Sequence, residues 1–342
     1  MNAIVFSHHG GPEVLRYMEV PEPCVGANDV LVRVRACALN HLDLWVRRGM
    51  PGISIPLPHI PGSDISGEVT RVGANVTRVR VGEKVILAPG ISDGLCQYCF
   101  SGADNMCRKY TMFGYMVDGG CAEYVASPEA NVIPKPERLS FEEAAAVPLV
   151  FLTAWHMLIG RARLQPGEEV LILAGGSGVG SAAIQVAKAI GARVLATVGS
   201  EEKIEKTRAL GADEVILHTK HSILDEVKRL TARRGVDVVF EHVGVATWDQ
   251  SIASLAVGGR LVTCGATTGY EGKIDIRYLF TRQLSILGSF MGSKGELYRV
   301  LELVSRGQVH PVIDKIMPLA QCAEAHERLE HREQFGKIVL VP

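Results

Sequence analysis

Residues 169–203, EVLILAGGSGVGSAAIQVAKAIGARVLATVGSEEK, restrict the possible folds more than any other stretch of this chain. Val170 to Ala174 is an apolar run of a length suited to a buried strand. Gly175, Gly176, Gly178 and Gly180 follow, then Ala183, Ile184, Ala187 and Ile190 fall on one helical face, and Gly191 ends that helix. A second apolar run, Arg193 to Val198, closes a βαβ unit of the length that dinucleotide binding requires. Glycines in such a turn let backbone N–H groups approach a pyrophosphate at the positive end of the helix. A G-x-G-x-x-G spacing from Gly175 would place its second glycine at 177, where this chain has Ser177; Gly178 serves instead. The cofactor turn is therefore assigned to Gly175, Ser177, Gly178, Val179 and Gly180, against the plainer reading of a tight turn.

The strand–helix rhythm continues beyond this unit. Strands are expected at 214–217, 236–241, 260–264 and 284–290, with helices at 223–231 and 247–255 between them. Helices at 294–306 and 319–330 and a strand at 337–341 complete the chain. Residues 1 to about 135 read instead as β-rich. Strand candidates lie at 2–6, 29–38, 67–72, 84–88 and 121–126, separated by glycine and proline turns. Ser140 with Glu143 three residues on is a capping box, and a second helix spans 149–162. The fold class is α/β: a β-rich domain joined to a doubly wound parallel-sheet domain.

The 342 residues suit two domains, and 47% hydrophobic with 21% charged residues permits a large core. With 36 basic against 37 acidic residues, no field favours nucleic acid or an anionic membrane. The N-terminus lacks the regions of a signal peptide, and the most apolar stretch, 147–159, is too short to span a bilayer. Eight cysteines in a chain this long suggest metal binding in a reducing compartment rather than a disulfide framework. A cytoplasmic protein without a membrane or nucleic-acid partner is expected.

Several motifs in order carry a resemblance: GGPEVL (10–15), ALNHLDLWVRRG (38–49), PGSDISGEV (61–69), VGEKV (81–85), AAAVPLVFLTAWHML (144–158) and EQFGKIVL (333–340). With the βαβ unit, they make the whole chain resemble the medium-chain dehydrogenase/reductase superfamily, of the zinc-type alcohol dehydrogenase and quinone oxidoreductase kind. The resemblance implies a GroES-like catalytic domain over 1–150 and 290–342 and a Rossmann domain over 151–289, with a cleft between them. It also implies hydride transfer between a nicotinamide cofactor and a small-molecule substrate, in a homo-oligomer, dimer or tetramer. The apolar strand 283–290, left as a sheet edge, is where that resemblance places subunit pairing.

Cys96, Cys99 and Cys107 lie in DGLCQYCFSGADNMC, and C-x2-C is a spacing that grips zinc through two thiolates. In zinc-bearing relatives this lobe has four cysteines, and Asp93 stands at the first position. A carboxylate oxygen is a legitimate ligand, so one structural zinc on Asp93, Cys96, Cys99 and Cys107 is expected. The alternative is a lobe of free thiols.

The catalytic zinc of alcohol dehydrogenases is another matter. The resemblance places Asn40, Ser63 and Leu149 at its three ligand positions and Asp64 at the accompanying glutamate. Asn40, Ser63 and Leu149 are poor zinc ligands; a different site from His41, His59 and Asp64 matches no known spacing. Hydride transfer then needs another preorganised donor, and Asn40, His41 and Ser63 are the candidates. Hydrogen-bond polarisation suits an enone, quinone or aldehyde better than a simple alcohol. Asp64 completes the catalytic set, and Thr153 resembles the threonine that lies against the nicotinamide.

Thr197-Val198-Gly199-Ser200 ends the second strand, where an acidic residue would bind the ribose hydroxyls of NAD. Val198 stands at that position, while Ser200 and Lys203 suit a 2′-phosphate; Glu201 and Glu202 argue the other way. NADP(H) is the expected cofactor. His218, Gly244, Gly265 and Ala266 fall at strand ends facing the cofactor crevice, and Lys337 resembles a basic residue near the cofactor phosphates. Two other readings stand beside an NADPH-dependent oxidoreductase: a zinc-dependent NAD(P) alcohol dehydrogenase, and a non-catalytic NADPH-binding protein.

Overall fold

The computed structural model describes residues 1–342, which divide into two compact units. One comprises residues 1–149, 293–305 and 310–342; the other comprises 150–292 and 306–309.

The first unit is built on a seven-stranded sheet. Its path runs Ile313–Pro318, Lys337–Val341, Asp29–Ala38, Asp64–Val72, Lys84–Leu87, Val132–Pro134, with Tyr124–Pro128 also paired to Asp29–Ala38. Only the first pair is parallel. Val30, Val32 and Val34 are buried while Arg33 and Arg35 point to solvent, which is the alternation expected of a strand with one wet face. The register places Val339 opposite Ala38 and Ala38 opposite Asp64. Lys337, Asn40 and Asp64 thereby gather at one end of three neighbouring strands.

Strand Asp64–Val72 begins three residues earlier than the sequence suggests, and the strand expected at 121–126 forms at Tyr124–Pro128. Asn40 opens a helix, His41–Arg48, that hydrophobic periodicity alone does not announce. Asp43 Oδ2 accepts from the Asn40 backbone N–H at 2.7 Å, a carboxylate at the helix N-terminus. The Ser140–Glu143 capping box is present and starts Phe141–Ala145.

Arg47 of that first helix is fully buried. Its guanidinium donates to Gly10 O at 3.2 Å, to His326 Nδ1 at 3.2 Å and to Glu330, and Arg48 pairs with the same Glu330 at 2.7 Å. Donation to Nδ1 requires the His326 proton to sit on Nε2. Burial first, then the adjacent Arg47, lowers the His326 pKa from 6.5 to about 4, with Asp43 and Glu330 opposing. The unfolded chain therefore takes up this proton near pH 6.5 and the folded chain only near 4. Stability should fall by roughly 3 kcal/mol as pH drops through that window. Asp43 acts in the opposite sense, because burial raises its folded pKa above 3.8. The expected result is that His326→Gln loses less melting temperature than wild type between pH 7 and 4.5. Identical acid losses in the two proteins would remove His326 from this role.

The second unit carries a six-stranded parallel sheet in the order Glu214–Leu217, Arg193–Val198, Glu169–Ile172, Val236–Glu241, Leu255–Thr263, Ser285–Gly288. The first strand in sequence, Glu169–Ile172, lies in the middle, so the chain winds outward on one side and then on the other. That arrangement is the doubly wound Rossmann topology, with its switch point beside Glu169–Ile172. Leu171, Leu195 and Val239 are completely buried, as expected of strands covered on both faces. The expected single helix 149–162 is α-helical over Pro148–Trp155 and a π-helix over His156–Arg161. The final helix is likewise split into a 3-10 turn, Leu319–Gln321, and Cys322–Glu330. No helix is long and apolar enough to cross a membrane.

Candidate active site

At the strand ends of the first unit, Lys337, Asn40 and Asp64 form one buried cluster. Their relative exposures are 3%, 6% and 0%, so each polar atom depends on the others. Lys337 Nζ donates to Asn40 Oδ1 at 2.5 Å and to Asp64 Oδ2 at 2.9 Å. Asn40 Nδ2 donates to the same Asp64 oxygen at 2.9 Å and to Ala38 O at 3.4 Å. The ammonium can only donate, which fixes the amide with Oδ1 facing it. The other Asp64 oxygen accepts the Leu149 backbone N–H at 2.7 Å.

A second buried carboxylate braces this cluster. Asp43 accepts the backbone N–H of Asn40 through one oxygen and that of Gly62, at 3.0 Å, through the other. It therefore ties the segment after Ala38 to the segment before Ser63. Gly62 has φ +103°, and a Cβ there would meet Cys37 Sγ at 2.6 Å and Cys121 Sγ at 2.8 Å. Only glycine allows so close an approach. Ser63 is fully buried and its hydroxyl donates to Phe113 O at 2.7 Å.

His41 is the first residue of its helix, with its ring edge-on to Trp45 at 5.1 Å. His59 lies elsewhere, buried, 3.6 Å from Asp118, and its pKa is lowered by burial. The amide nitrogen of Asn40, expected to serve a substrate oxygen, instead has protein acceptors for its hydrogens. Lys337, expected beside cofactor phosphates, has its head group on Asn40 and Asp64.

In the second unit, the glycine turn leads directly into the helix Gly178–Ile190. Ser177 is the N-cap, its Oγ accepting from Gly180 N at 3.0 Å. A Cβ on Gly180 would lie 2.3 Å from Ala174 O, so the turn is too tight for any side chain there. Val179 follows Gly178 in the first helical turn. The backbone N–H groups of Ala174 and Gly175 are held by Thr197 Oγ1 at 2.9 Å and Thr197 O at 2.8 Å.

Gly199, Ser200 and His218 are neighbours: a Cβ on Gly199 would touch His218 Nε2 at 3.4 Å. Ser200 Oγ lies 3.4 Å from Glu202 Oε1, while Glu201 is ion-paired with Lys220. Lys203 is in the next helix, Glu202–Ala209. Across the switch point, a Cβ on Gly244 would lie 2.9 Å from Ala266 Cα, and one on Gly265 would lie 3.0 Å from His242 O. Gly244, Gly265 and Ala266 therefore line one crowded turn. Thr153, nearly buried, lies in the helix Pro148–Trp155.

Sequence reasoning missed Glu241, which organises that turn. Its fully buried carboxylate accepts from Val243 N (2.6 Å), Gly244 N (2.9 Å), Thr247 Oγ1 (3.0 Å) and Ser251 Oγ (2.7 Å). An acidic residue ending an apolar strand was the available signal.

The third group is the loop that holds Asp93, Cys96, Cys99 and Cys107. Their ligand atoms all lie within 4.8 Å of one another. The Cys96 and Cys99 sulfurs are 3.6 Å apart, and Cys99 Sγ is 3.4 Å from Asp93 Oδ1. The Leu95 N–H first, with help from Cys96 N–H, holds the Asp93 carboxyl down at about 2. Backbone N–H groups, that of Cys99 foremost, lower the Cys96 thiol, while burial raises that of Cys99. Elsewhere in the same unit, Asp104 anchors the loop by accepting from Lys294 N at 2.9 Å and Nζ at 3.1 Å.

Comparison with known proteins bears on all three groups. Residues 26–137 match the alcohol dehydrogenase GroES-like domain and residues 178–306 the zinc-binding dehydrogenase domain. The quinone oxidoreductase of Rattus norvegicus is 32% identical over 100% of this chain and 98% of its own. The NAD-dependent alcohol dehydrogenase of Sulfolobus acidocaldarius is 34% identical over 99% of each chain. The chain belongs to the medium-chain dehydrogenase/reductase superfamily.

Among solved structures, an NAD-dependent alcohol dehydrogenase is 48% identical, with a TM-score of 0.96 and 100% coverage of both chains. The cobalt- and zinc-bound alcohol dehydrogenase of Pyrobaculum aerophilum is 34% identical, with a TM-score of 0.91 over 100% of this chain and 99% of that one. As a medium-chain dehydrogenase/reductase, this protein is an NAD(P)H-dependent oxidoreductase that transfers hydride to or from a small molecule.

Proposed function

We propose that this oxidoreductase uses NADPH to reduce an activated carbonyl or conjugated double bond, as in an enone, quinone or aldehyde, without a catalytic zinc. One observation carries the reading: the positions aligned with catalytic-zinc ligands are Asn40, Ser63 and Leu149, and Asn40 is occupied by a buried ammonium. Asn40 Oδ1 already accepts from Lys337, Ser63 donates to a carbonyl, and Leu149 offers no ligand atom in its side chain. A divalent cation beside the Lys337 ammonium would meet direct charge repulsion. Asp64 and Asn40 hold that positive charge in place. NADP(H), when bound, supplies the hydride; Gly175, Ser177, Gly178, Val179 and Gly180 would take its pyrophosphate. Thr153, His218, Gly244, Gly265 and Ala266 would complete its site.

The NADP(H) preference rests on Ser200 and Lys203, with no acid at Val198 and with Glu201 engaged by Lys220. The names of the similar NAD-dependent alcohol dehydrogenases favour a second reading, NAD-linked alcohol oxidation. Cofactor consumption across enones, quinones, aldehydes and alcohols, with NADPH and NADH in parallel, separates the two. NADPH with a conjugated acceptor should give the highest kcat/KM, and Lys203→Ala should weaken NADPH selectively. A preference for NAD with a simple alcohol would sink the proposal.

A structural zinc fits Asp93, Cys96, Cys99 and Cys107. Zn–S bonds of about 2.3 Å at tetrahedral angles set two sulfurs about 3.8 Å apart, close to the separation of Cys96 and Cys99. The ion would pin a loop that has little apolar material to fold on. Elemental analysis is expected to give one zinc per chain, lost in the Cys96→Ser/Cys99→Ser variant. Two equivalents, or zinc surviving that double change, would contradict the assignment.

The Ser285–Gly288 strand ends the Rossmann sheet, and Ile286 and Leu287 are only partly buried. An apolar sheet edge of this kind invites pairing with another chain. A homo-oligomer built on that edge is the proposed assembly, with a dimer or tetramer mass expected by light scattering; a monomer at micromolar concentration would rule it out.

A further inference from the structure

Lys337 Nζ is the one formal positive charge in a cluster whose other donors are already spent. Both Asn40 amide hydrogens face acceptors, and the Ser63 hydroxyl is given to Phe113 O. An ammonium carries three hydrogens. Two of them reach Asn40 and Asp64, and the third has no acceptor within the protein. Burial in a medium of low polarity makes that remaining N–H a strong electrostatic donor toward a developing negative charge. Register fixes its position, because Lys337 opens a strand paired through Val339 to Ala38 and onward to Asp64.

We propose that Lys337 is the catalytic electrostatic donor, its third ammonium hydrogen stabilising the oxygen of the acceptor during hydride transfer. This rests on the metal-free reading of the site. NADPH, when bound, would supply a hydride with its electron pair to the electrophilic carbon and would itself be oxidised. The displaced π pair moves onto the carbonyl oxygen, where the Lys337 N–H meets it. The oxyanion takes a proton from solvent to give the reduced product. Asn40 and Asp64 are positioning residues in this scheme: they hold the ammonium from two sides and leave one hydrogen free.

Lys337→Ala alone would bury the Asp64 carboxylate unpaired, so the test uses Lys337→Ala/Asp64→Asn, which removes both charges together and leaves a space that a small amine can enter. With an acceptor that wild type reduces, kcat should fall about a hundredfold or more, while the NADPH dissociation constant, read by fluorescence titration, changes little. Ethylammonium added to the variant should recover part of kcat; tetramethylammonium, which has no N–H, should not. A wild-type kcat, a loss confined to NADPH binding, or a loss that ethylammonium does not relieve would each overturn the proposal. Failure of the underlying reading shows differently, in wild type itself, as fast alcohol oxidation with no turnover of any conjugated acceptor, and would remove both.

Discussion

Asp64→Ala is expected to lower the unfolding free energy by about 3–5 kcal/mol, among the largest effects a single substitution can have in this chain. Asp64 is fully buried and Lys337 3% exposed, so the alanine variant leaves an ammonium in the interior without its counter-charge. It also leaves Asn40 Nδ2 and the Leu149 N–H without the carboxylate oxygens that they now reach. Removing one member of a buried pair costs far more than removing both, because the desolvation penalty remains without the attraction. Asp64→Leu/Lys337→Met should therefore recover much of the loss in urea unfolding. A double variant as unstable as Asp64→Ala would mean that the pair is not what stabilises this region.

The second large effect is on catalysis. Asn40→Asp would set a second carboxylate at the position whose amide nitrogen now lies 2.9 Å from Asp64 Oδ2. Two carboxylates at that distance cannot both ionise freely, and Lys337 would be the only cation between them. The Lys337 ammonium would then be shared between two carboxyl groups, with less of its charge left for the acceptor oxygen, so turnover should fall by about a hundredfold or more. NADPH affinity should be little affected. An Asn40→Asp enzyme with normal kcat would remove this cluster from the chemistry.

Much of the fold was legible in the sequence because its signals are local. The apolar run ending at Ala174, the glycines after it and the 3.6-residue spacing up to Ile190 lie within one stretch, and the Rossmann topology follows from repeating that rhythm. The Ser140 capping box was equally local. Helix His41–Arg48 was not anticipated, since its start depends on Asn40 and Asp43 rather than on an apolar stripe. The π-helix at His156–Arg161 has no comparable local signal.

For the site, sequence could name Asn40, Ser63 and Asp64, but not what their polar atoms touch. Lys337 is 273 residues from Asp64 and 297 from Asn40. Only the pairing of three strands brings it to them. The buried Arg47–His326–Glu330 cluster is hidden for the same reason, as its members come from two helices far apart in the chain. The loop from Asp93 to Cys107 was the opposite case: four candidate ligands within 15 residues make a local spacing, and their ligand atoms lie within 4.8 Å of one another.

Metal-free hydride transfer is tested most directly by assaying one preparation with NADPH and an enone or quinone, and with NADP and a simple alcohol, before and after a strong chelator. The expected result is rapid NADPH oxidation by the conjugated acceptor, little alcohol oxidation, and a conjugated-acceptor rate that the chelator leaves intact as long as the protein stays folded. Fast alcohol oxidation that the chelator abolishes, and that Asn40→Ala leaves in place, would contradict it and put a metal at the active site.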